Sequence, residues 1–398
     1  MPVRAGAQGT GRAMHLVINA SDLGRSRGGN ESYLLGLITG LAMVTRQAGR
    51  SALRISLIAA HKGVDLARSI AEPHGLNVID AGPYRRLPFF LWQQTAILRR
   101  LQPDWYISTF FLPPVTPCRA AVLIHDLSFR AYPGYYPLPI AAYMHLITSL
   151  AIRRAEVVVA LSEFTRGEIV RFYPAVGDRV AVVYPGVGAE FRPDVEEDDQ
   201  ALSALGVRRP YVLAVGNIHP RKNLGRLLNA WLRLCDDARA EQQQRTRSIL
   251  PDAEPVPVLT WAGLDRWGSG DLIARARDAG VHLTGFVPAA YLPALYRQAE
   301  ALVYPSLYEG FGLPPLEAMA CGTPVLAANT TSLPEAVGDA AVTVDPTDVG
   351  ALAEGLVRVL FDGPLRRDLR ARGLARAAEF RWERTAARLV DVLDRAAG

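Results

Sequence analysis

Two carboxylates, a glycine-bearing loop and a pair of adjacent cations mark where this chain can do chemistry. The stretch Tyr304-Pro-Ser-Leu-Tyr-Glu309-Gly-Phe-Gly-Leu-Pro-Pro315-Leu-Glu317-Ala-Met-Ala-Cys-Gly-Thr-Pro324 begins where an apolar run ends and leads into a helix-like segment. Pro315 suits a first helical turn, because the N–H it lacks would have no intrahelical partner there. The free N–H groups of Gly310, Phe311, Gly312 and Leu313 would then meet an anion at a helix N-terminus, phosphate foremost. Glu309 in the loop and Glu317 in the expected first turn can border one pocket and accept hydrogen bonds from sugar or ribose hydroxyls. A plainer reading stays open, in which Glu317 complements the helix dipole and Glu309 is a solvated loop residue. Pro314 at the expected N-cap has no hydroxyl for a capping box, which weakens that version.

The run Val215-Gly-Asn217-Ile-His-Pro-Arg221-Lys222-Asn223 follows an apolar strand. Its cations suit a diphosphate, since the Arg fork grips two oxygens and Lys supplies a compact charge. The same two side chains could instead stay solvated on a loop. His125 and Asp126 close another apolar run, a place where a histidine is more often structural than catalytic. Gly28 and Gly29 precede a helix expected at Tyr33, where glycines permit close backbone approach to a ligand.

Short β-branched runs alternating with longer helical segments must position these groups, the pattern of β-α-β units around parallel sheets. The first half carries seven strand candidates, His15–Asn19, Arg54–Ala59, Asn77–Asp80, Trp105–Ser108, Ala121–Ile124, Val157–Ala160 and Val180–Val183. Six follow in the second half, Tyr211–Val215, Val258–Trp261, Val281–Thr284, Ala301–Tyr304, Pro324–Ala327 and Ala341–Val344. An α/β protein of two doubly wound, Rossmann-like domains is expected, with its ligand between the carboxyl ends of the strands. The boundary falls near Phe191, giving domains 1–191 and 192–380, with Arg192–Arg209, which contains the acidic run Glu196 to Asp199, read as a solvated linker. The insert Glu241 to Pro257 reads as a mobile surface loop. Residues 381–398 form a last helix with Ala386, Leu389, Val390 and Leu393 on one face, which needs a surface to pack on and is expected to return to the first domain.

At 398 residues, 49% hydrophobic and 21% charged, the chain is globular, and its net charge of +5 does not favour a nucleic-acid partner. Of 44 basic residues only Lys62 and Lys222 are lysine, a skew that GC-rich codon supply explains. Cys118, Cys235 and Cys321 are far apart, so neither a zinc site nor a disulfide framework is indicated. The Leu16–Ile18 run is too short for a signal core, and Leu146–Leu161 is interrupted by Arg153, Arg154 and Glu156, so a cytoplasmic chain is expected.

The Glu309 and Glu317 pair resembles the Glu, seven residues, Glu pattern of retaining glycosyltransferase family 4, which has the GT-B fold. Gly28-Gly29-Asn30, Ile124-His125-Asp126-Leu127, Leu161-Ser162-Glu163-Phe164, Tyr184-Pro185-Gly186-Val187, Gly216 to Asn223, Thr284-Gly285-Phe286 and Leu333-Pro334-Glu335 extend the resemblance over most of the chain. It implies that Glu309 contacts donor-sugar hydroxyls and Glu317 the nucleotide ribose. It also implies that His125 contacts the sugar near its primary hydroxyl and that Gly28 and Gly29 cradle donor phosphate or acceptor. Base recognition is implied near the backbone of Phe286 and Val287. Many relatives carry Arg directly after the glycine, where this chain has Asn217, and Arg221 is expected to take over. The wording Ile-His-Asp-Leu-Ser-Phe and Pro-Arg-Lys-Asn is similar to bacterial O-antigen and exopolysaccharide mannosyltransferases.

A nucleoside diphosphate needs little protonation to leave, so stabilising its developing charge is the main demand, one that Arg221, Lys222 and the helix N-terminus can meet. No carboxylate has sequence support as the nucleophile that retaining glycosidases use. Front-face attack is expected, with the departing phosphate taking the acceptor's proton. Neither a metal-ligand cluster nor an Asp-x-Asp motif appears near these segments, so no metal or cofactor is expected beyond the nucleotide sugar. The segment Tyr84-Arg85-Arg86 to Arg99-Arg100 mixes arginines with aromatics and could rest on an anionic membrane, at the inner face of the plasma membrane. The alternative there is an ordinary amphipathic helix. Two other functions remain in view, a nucleotide-sugar epimerase of the same fold and a binding protein without catalysis.

Overall fold

The computed structural model describes residues 13–24, 29–47, 53–83, 85–194, 198–244, 256–265 and 269–398. The first sheet holds β1 (Met14–Asn19), β2 (Leu53–Ala59), β3 (Asn77–Asp80), β4 (Trp105–Thr109), β5 (Arg119–Ile124), β6 (Val157–Ala160) and β7 (Val180–Val182). All pairings are parallel, in the order β3-β2-β1-β4-β5-β6-β7. The second holds β8 (Tyr211–Val215), β9 (Val258–Ala262), β10 (His282–Gly285), β11 (Ala301–Tyr304), β12 (Val325–Ala328) and β13 (Val342–Val344), ordered β10-β9-β8-β11-β12-β13. Each strand lies on one of the apolar runs read from the sequence, and central strands such as β4 and β11 are buried throughout because helices cover both sheet faces. Strand order reverses between β1 and β4 and between β8 and β11, which opens a crevice at the carboxyl ends of these pairs.

The last helix, Trp382–Ala397, returns to the first domain and lies on the helix Gly29–Gln47. Two glycines make that approach possible. A Cβ at Gly36 would run into the Trp382 indole, and one at Gly40 into the Trp382 carbonyl. Ala386, Leu389 and Leu393 are buried there, and the Thr385 hydroxyl donates to the Tyr184 carbonyl at 2.8 Å.

Several local expectations need correction. The first helix starts at Gly29 rather than Tyr33, so Gly29 is already helical. The helix from Leu224 continues to Gln244, through the start of the polar insert, whose residues 245–255 lie outside the described residues. Asp198 is not solvated: it is buried, takes two hydrogen bonds from the Arg297 guanidinium at 2.7 and 2.9 Å, and accepts from Gln298. That pairing offsets its desolvation and holds its carboxyl below the usual range. Glu196 and Glu197 lie outside the described residues.

Candidate active site

A cavity of about 480 Å3 opens between the carboxyl ends of the two sheets. It is lined by Gly29 and His125 of the first domain and by Asn217, Arg221, Lys222, Phe286, Val287, Glu309, Gly310, Phe311, Gly312, Leu313 and Glu317 of the second. Every candidate residue except Gly28, which lies outside the described residues, is therefore brought to one place.

The second domain contributes an ionic cluster. β8 and β11 are neighbours, so the loops that leave them run side by side. Glu309 receives Lys222 Nζ on Oε1 at 2.6 Å and Arg221 Nη1 on Oε2 at 2.9 Å. Lys222 also donates to the Tyr304 hydroxyl, and Arg221 to the Tyr308 carbonyl at 3.1 Å. Asn223 ends the Pro220–Lys222 turn in a left-handed conformation (φ 59°), with its amide donating to the carbonyls of Pro305 and Pro346 at 3.1 and 2.6 Å. The two cations are thereby anchored to the β11 loop. Burial opposes ionisation of Glu309, but Arg221 and Lys222 more than reverse it and hold the carboxyl at about 2. For Lys222 burial prevails, and despite Glu309 the ammonium is lowered to about 8. Arg221 meets the same desolvation, but Glu309 and Asp126 keep it firmly charged.

Beyond Glu309 the loop enters the helix Leu313–Ala320 through Gly312, the N-cap, at φ +113°. The sequence reading put Pro314 at the cap and Glu317 in the first turn. Instead Pro314 lies inside the first turn and Glu317 one turn further on, because only glycine tolerates the left-handed corner. Successive loop carbonyls are held by hydroxyls. Ser332 donates to Glu309 at 2.8 Å and to Phe311 at 2.9 Å, while Ser162 and Thr165 of the first domain donate to Gly310 at 2.6 and 2.9 Å. A trans peptide aims the next N–H the opposite way, so these bonds orient the amides of Gly310, Phe311 and Gly312. Glu317 accepts the Tyr296 hydroxyl at 2.8 Å, and burial, with a further contribution from Glu190, pushes its carboxyl up to about 7.

His125 faces this loop from the end of β5. Its carbonyl occupies the space that a Cβ on Gly310 would need, so the two domains touch backbone to backbone there. The ring lies between Tyr33 (centroids 4.6 Å apart) and Phe110 (5.4 Å), and burial lowers its pKa to about 4 against the pull of Asp126. The imidazole is therefore neutral at pH 7, and its buried Nε2 has no partner among the described residues.

Sequence reasoning missed Tyr33, Tyr136, His219 and Tyr304, which also line the cavity. His219 had a local signal: one residue before Pro220-Arg221 it caps the turn, accepting the Arg221 N–H on Nδ1 at 3.1 Å. Three quoted segments with no assigned role prove to be a seam between the domains. Glu335 accepts the backbone N–H groups of Glu163 (2.7 Å) and Phe164 (3.2 Å) and the Tyr184 hydroxyl (2.7 Å).

Two facing Rossmann-like sheets, with paired cations and a helix N-terminus on one wall and a buried neutral histidine on the other, define a glycosyltransferase of the GT-B fold. Residues 29–191 match Glycosyltransferase Family 4, and residues 195–376 match Glycosyl transferases group 1. The chain is 33% identical over 358 residues to the O-antigen chain mannosyltransferase B of Escherichia coli, across 81% of this chain and 90% of that protein. It belongs to glycosyltransferase family 4. Among solved structures, sucrose-phosphate synthase from Thermosynechococcus elongatus superposes with a TM-score of 0.71 at 20% identity, covering 96% of this chain and 98% of that one. Anabaena HepE in complex with UDP-glucose superposes at 0.69 and 16% identity, covering 96% of this chain and all of the other, and both likenesses concern the fold.

Proposed function

We propose that this glycosyltransferase moves a hexose, mannose from GDP-mannose in the first instance, onto a saccharide or lipid-linked oligosaccharide in bacterial polysaccharide synthesis, with retention of configuration. The observation that carries this reading is the Arg221–Glu309–Lys222 cluster facing the amides of the Gly310–Leu313 loop. Such an arrangement suits a donor diphosphate, and the kinship with an O-antigen mannosyltransferase supports mannose. In the step itself the bond from the anomeric carbon to the diphosphate breaks. The acceptor oxygen bonds to the same face, and its proton passes to the leaving phosphate oxygen. Arg221, Lys222 and the helix N-terminus stabilise the charge that appears on the diphosphate. Glu309, already held by two cations, keeps them in place and offers its remaining acceptor capacity to sugar hydroxyls rather than attacking carbon. Neutral His125 donates or accepts a hydrogen bond at the sugar. With fixed cations in that role no metal is needed, and activity should persist in excess chelator.

Thermal melting with GDP-, UDP-, ADP- and dTDP-sugars tests the reading, since a ligand at about 100 times its Kd stabilises by about 2.7 kcal/mol. GDP-mannose should raise the melting temperature most. A preference for another nucleotide would overturn the donor assignment, and donor conversion without any acceptor would favour the epimerase.

Peripheral membrane contact belongs to the same proposal, and the structure enlarges the surface on which it rests. In segment 85–101 Phe89 is core, Phe90 packs on Phe111, and only Leu87 and Trp92 are exposed large apolar side chains. The helix Leu138–Arg154 adds Leu138, Ile140, Tyr143, Leu146 and Leu150, all exposed. The Val115 loop joins the two, receiving Thr95 Oγ1 on the Val115 carbonyl (2.7 Å) and Arg154 on the Pro113 carbonyl (3.0 Å). No Asp or Glu occurs in 81–103 or 127–155, whereas Arg85, Arg99, Arg100, Arg153 and Arg154 are exposed, which suits anionic lipid. No helix among the described residues is long and apolar enough to cross a membrane.

A further inference from the structure

Outside the donor cavity, the most chemically distinctive surface is an array of tyrosines at its mouth. Tyr132, Tyr135 and Tyr136 fall within five residues, on the short turn Pro133–Tyr135 and its flanks. The rings of Tyr132 and Tyr135 stack at 5.3 Å with planes 10° apart. Residues of the other domain buttress their edges: Tyr308 meets Tyr132 at 5.6 Å and 74°, and His219 meets Tyr135 at 6.2 Å and 88°. Tyr308, the buttress, is 2% exposed, whereas Tyr132 is left 41% exposed. A Cβ added at Gly134 would meet nothing, so the outer side of the turn is open.

Position gives this surface its meaning. Tyr136 connects it to the cavity, its ring 5.4 Å from His219 and its hydroxyl bonded to Ser128 at 2.6 Å, which in turn donates to Asp126 at 2.6 Å. His219 holds the turn that carries Arg221 and Lys222. An acceptor resting on the tyrosines thus lies beside the cavity that Tyr136 and His219 line. Aromatic faces carry negative charge density, which attracts the C–H-lined face of a pyranose, and phenol hydroxyls can bond its rim. Tyrosine offers that contact with little side-chain entropy to lose. Because the rings belong to one domain and their buttresses to the other, the surface is complete only when the domains face each other.

We propose that Tyr132, Tyr135 and Tyr136 form the stacking subsite for the acceptor saccharide. This assignment rests on the glycosyltransferase reading of the adjacent cavity and extends it to the second substrate. The test uses the full chain with Tyr132→Ala, Tyr135→Ala and the double substitution, and an α-linked mannose oligosaccharide as acceptor. Each single change should raise the acceptor KM about tenfold, which corresponds to about 1.4 kcal/mol, with kcat changed far less. Nucleotide-sugar affinity, read from the donor-induced melting shift, should be retained. Phe at either position keeps the ring and should restore most of the acceptor affinity. An unchanged acceptor KM in the double Ala variant would overturn the proposal. So would a parallel loss of donor affinity, which would assign the rings to interdomain packing alone. If the parent chain binds no nucleotide sugar, the donor-site reading fails by itself. Calorimetric titration of the same oligosaccharide into parent and double variant then decides the platform, equal binding or no binding refuting it.

Discussion

Replacing Glu309 by Gln removes one charge and leaves two. The carboxylate side chain is 9% exposed, and its partners Lys222 and Arg221 are 10% and 23% exposed, so neither cation can turn to water without moving the loop. Removing one partner of a buried pair costs about 3–5 kcal/mol. Lys222, already lowered to about 8, can shed its proton and relieve part of that cost, which puts the expected loss near the lower figure. At about 2–4 °C per kcal/mol for a domain of 150–250 residues, the melting temperature should fall by about 6–12 °C. A nucleoside diphosphate brings back the missing negative charge. Adding GDP should therefore raise the melting temperature of E309Q by more than it raises that of the parent. Turnover should still drop by about 10²-fold or more, because the cations are no longer held where charge develops. Scanning fluorimetry with and without GDP, alongside a transferase assay, reads all three. A parent-like melting temperature in E309Q, or a smaller nucleotide shift than in the parent, would refute the claim that Glu309 neutralises the cluster.

The lysine pair gives an internal control: Lys222→Arg should lower turnover markedly, since a guanidinium does not fit the buried slot between Glu309 and Tyr304, whereas exposed Lys62→Arg should not. Equal activities would return the lysine skew to codon usage. Lys222 also sets a pH limit. Between its folded value of about 8 and its ordinary 10.5 the unfolded chain binds the extra proton, so this group makes stability rise with pH while the active cation is lost. The donor kcat/KM should fall above about pH 8 and kcat only at higher pH, because bound diphosphate restores the ammonium; coincident limbs in the two profiles would exclude Lys222 as the titrating group. For the membrane surface, Leu146→Glu with Leu150→Glu should abolish cosedimentation with vesicles containing anionic lipid while leaving the donor-induced melting shift intact, and undiminished cosedimentation would remove this helix from the contact.

What could be read from the sequence, and what could not, divides along a physical line. The strands were legible because each is a short apolar run whose burial on both sheet faces dictates its composition, as β4 and β11 illustrate. The candidate residues were legible as chemistry but not as partners. Glu309 stands 87 residues from Lys222, and nothing local to either tells of the other; adjacency of β8 and β11 brings them together. Asp198 misled for the same reason, since an acid in a charged run looks solvated until Arg297, far along the chain, encloses it. The cap at Gly312 turned on a backbone corner that proline cannot make and a left-handed glycine can.

The segments that carried the family resemblance are of two physical kinds. Those of Arg221, Lys222, Glu309 and His125 line the cavity. Those of Ser162, Tyr184 and Glu335 have as their main partners other such segments: the Ser162 hydroxyl, joined by that of Thr165 just beyond its segment, on the Gly310 carbonyl, and one carboxylate on the Glu163 and Phe164 amides and the Tyr184 phenol. The hydroxyls and the carboxylate of the second set bond across the domain boundary, while Leu161 and Pro185 beside them line the cavity. This set ties the Gly310–Gly312 loop of one domain to the other, at the point where the His125 carbonyl leaves Gly310 no room for a side chain. On the proposed reading, His125 in one domain serves a sugar held in the other only when that seam is closed, so the seam contacts are as necessary to transfer as the residues around the donor.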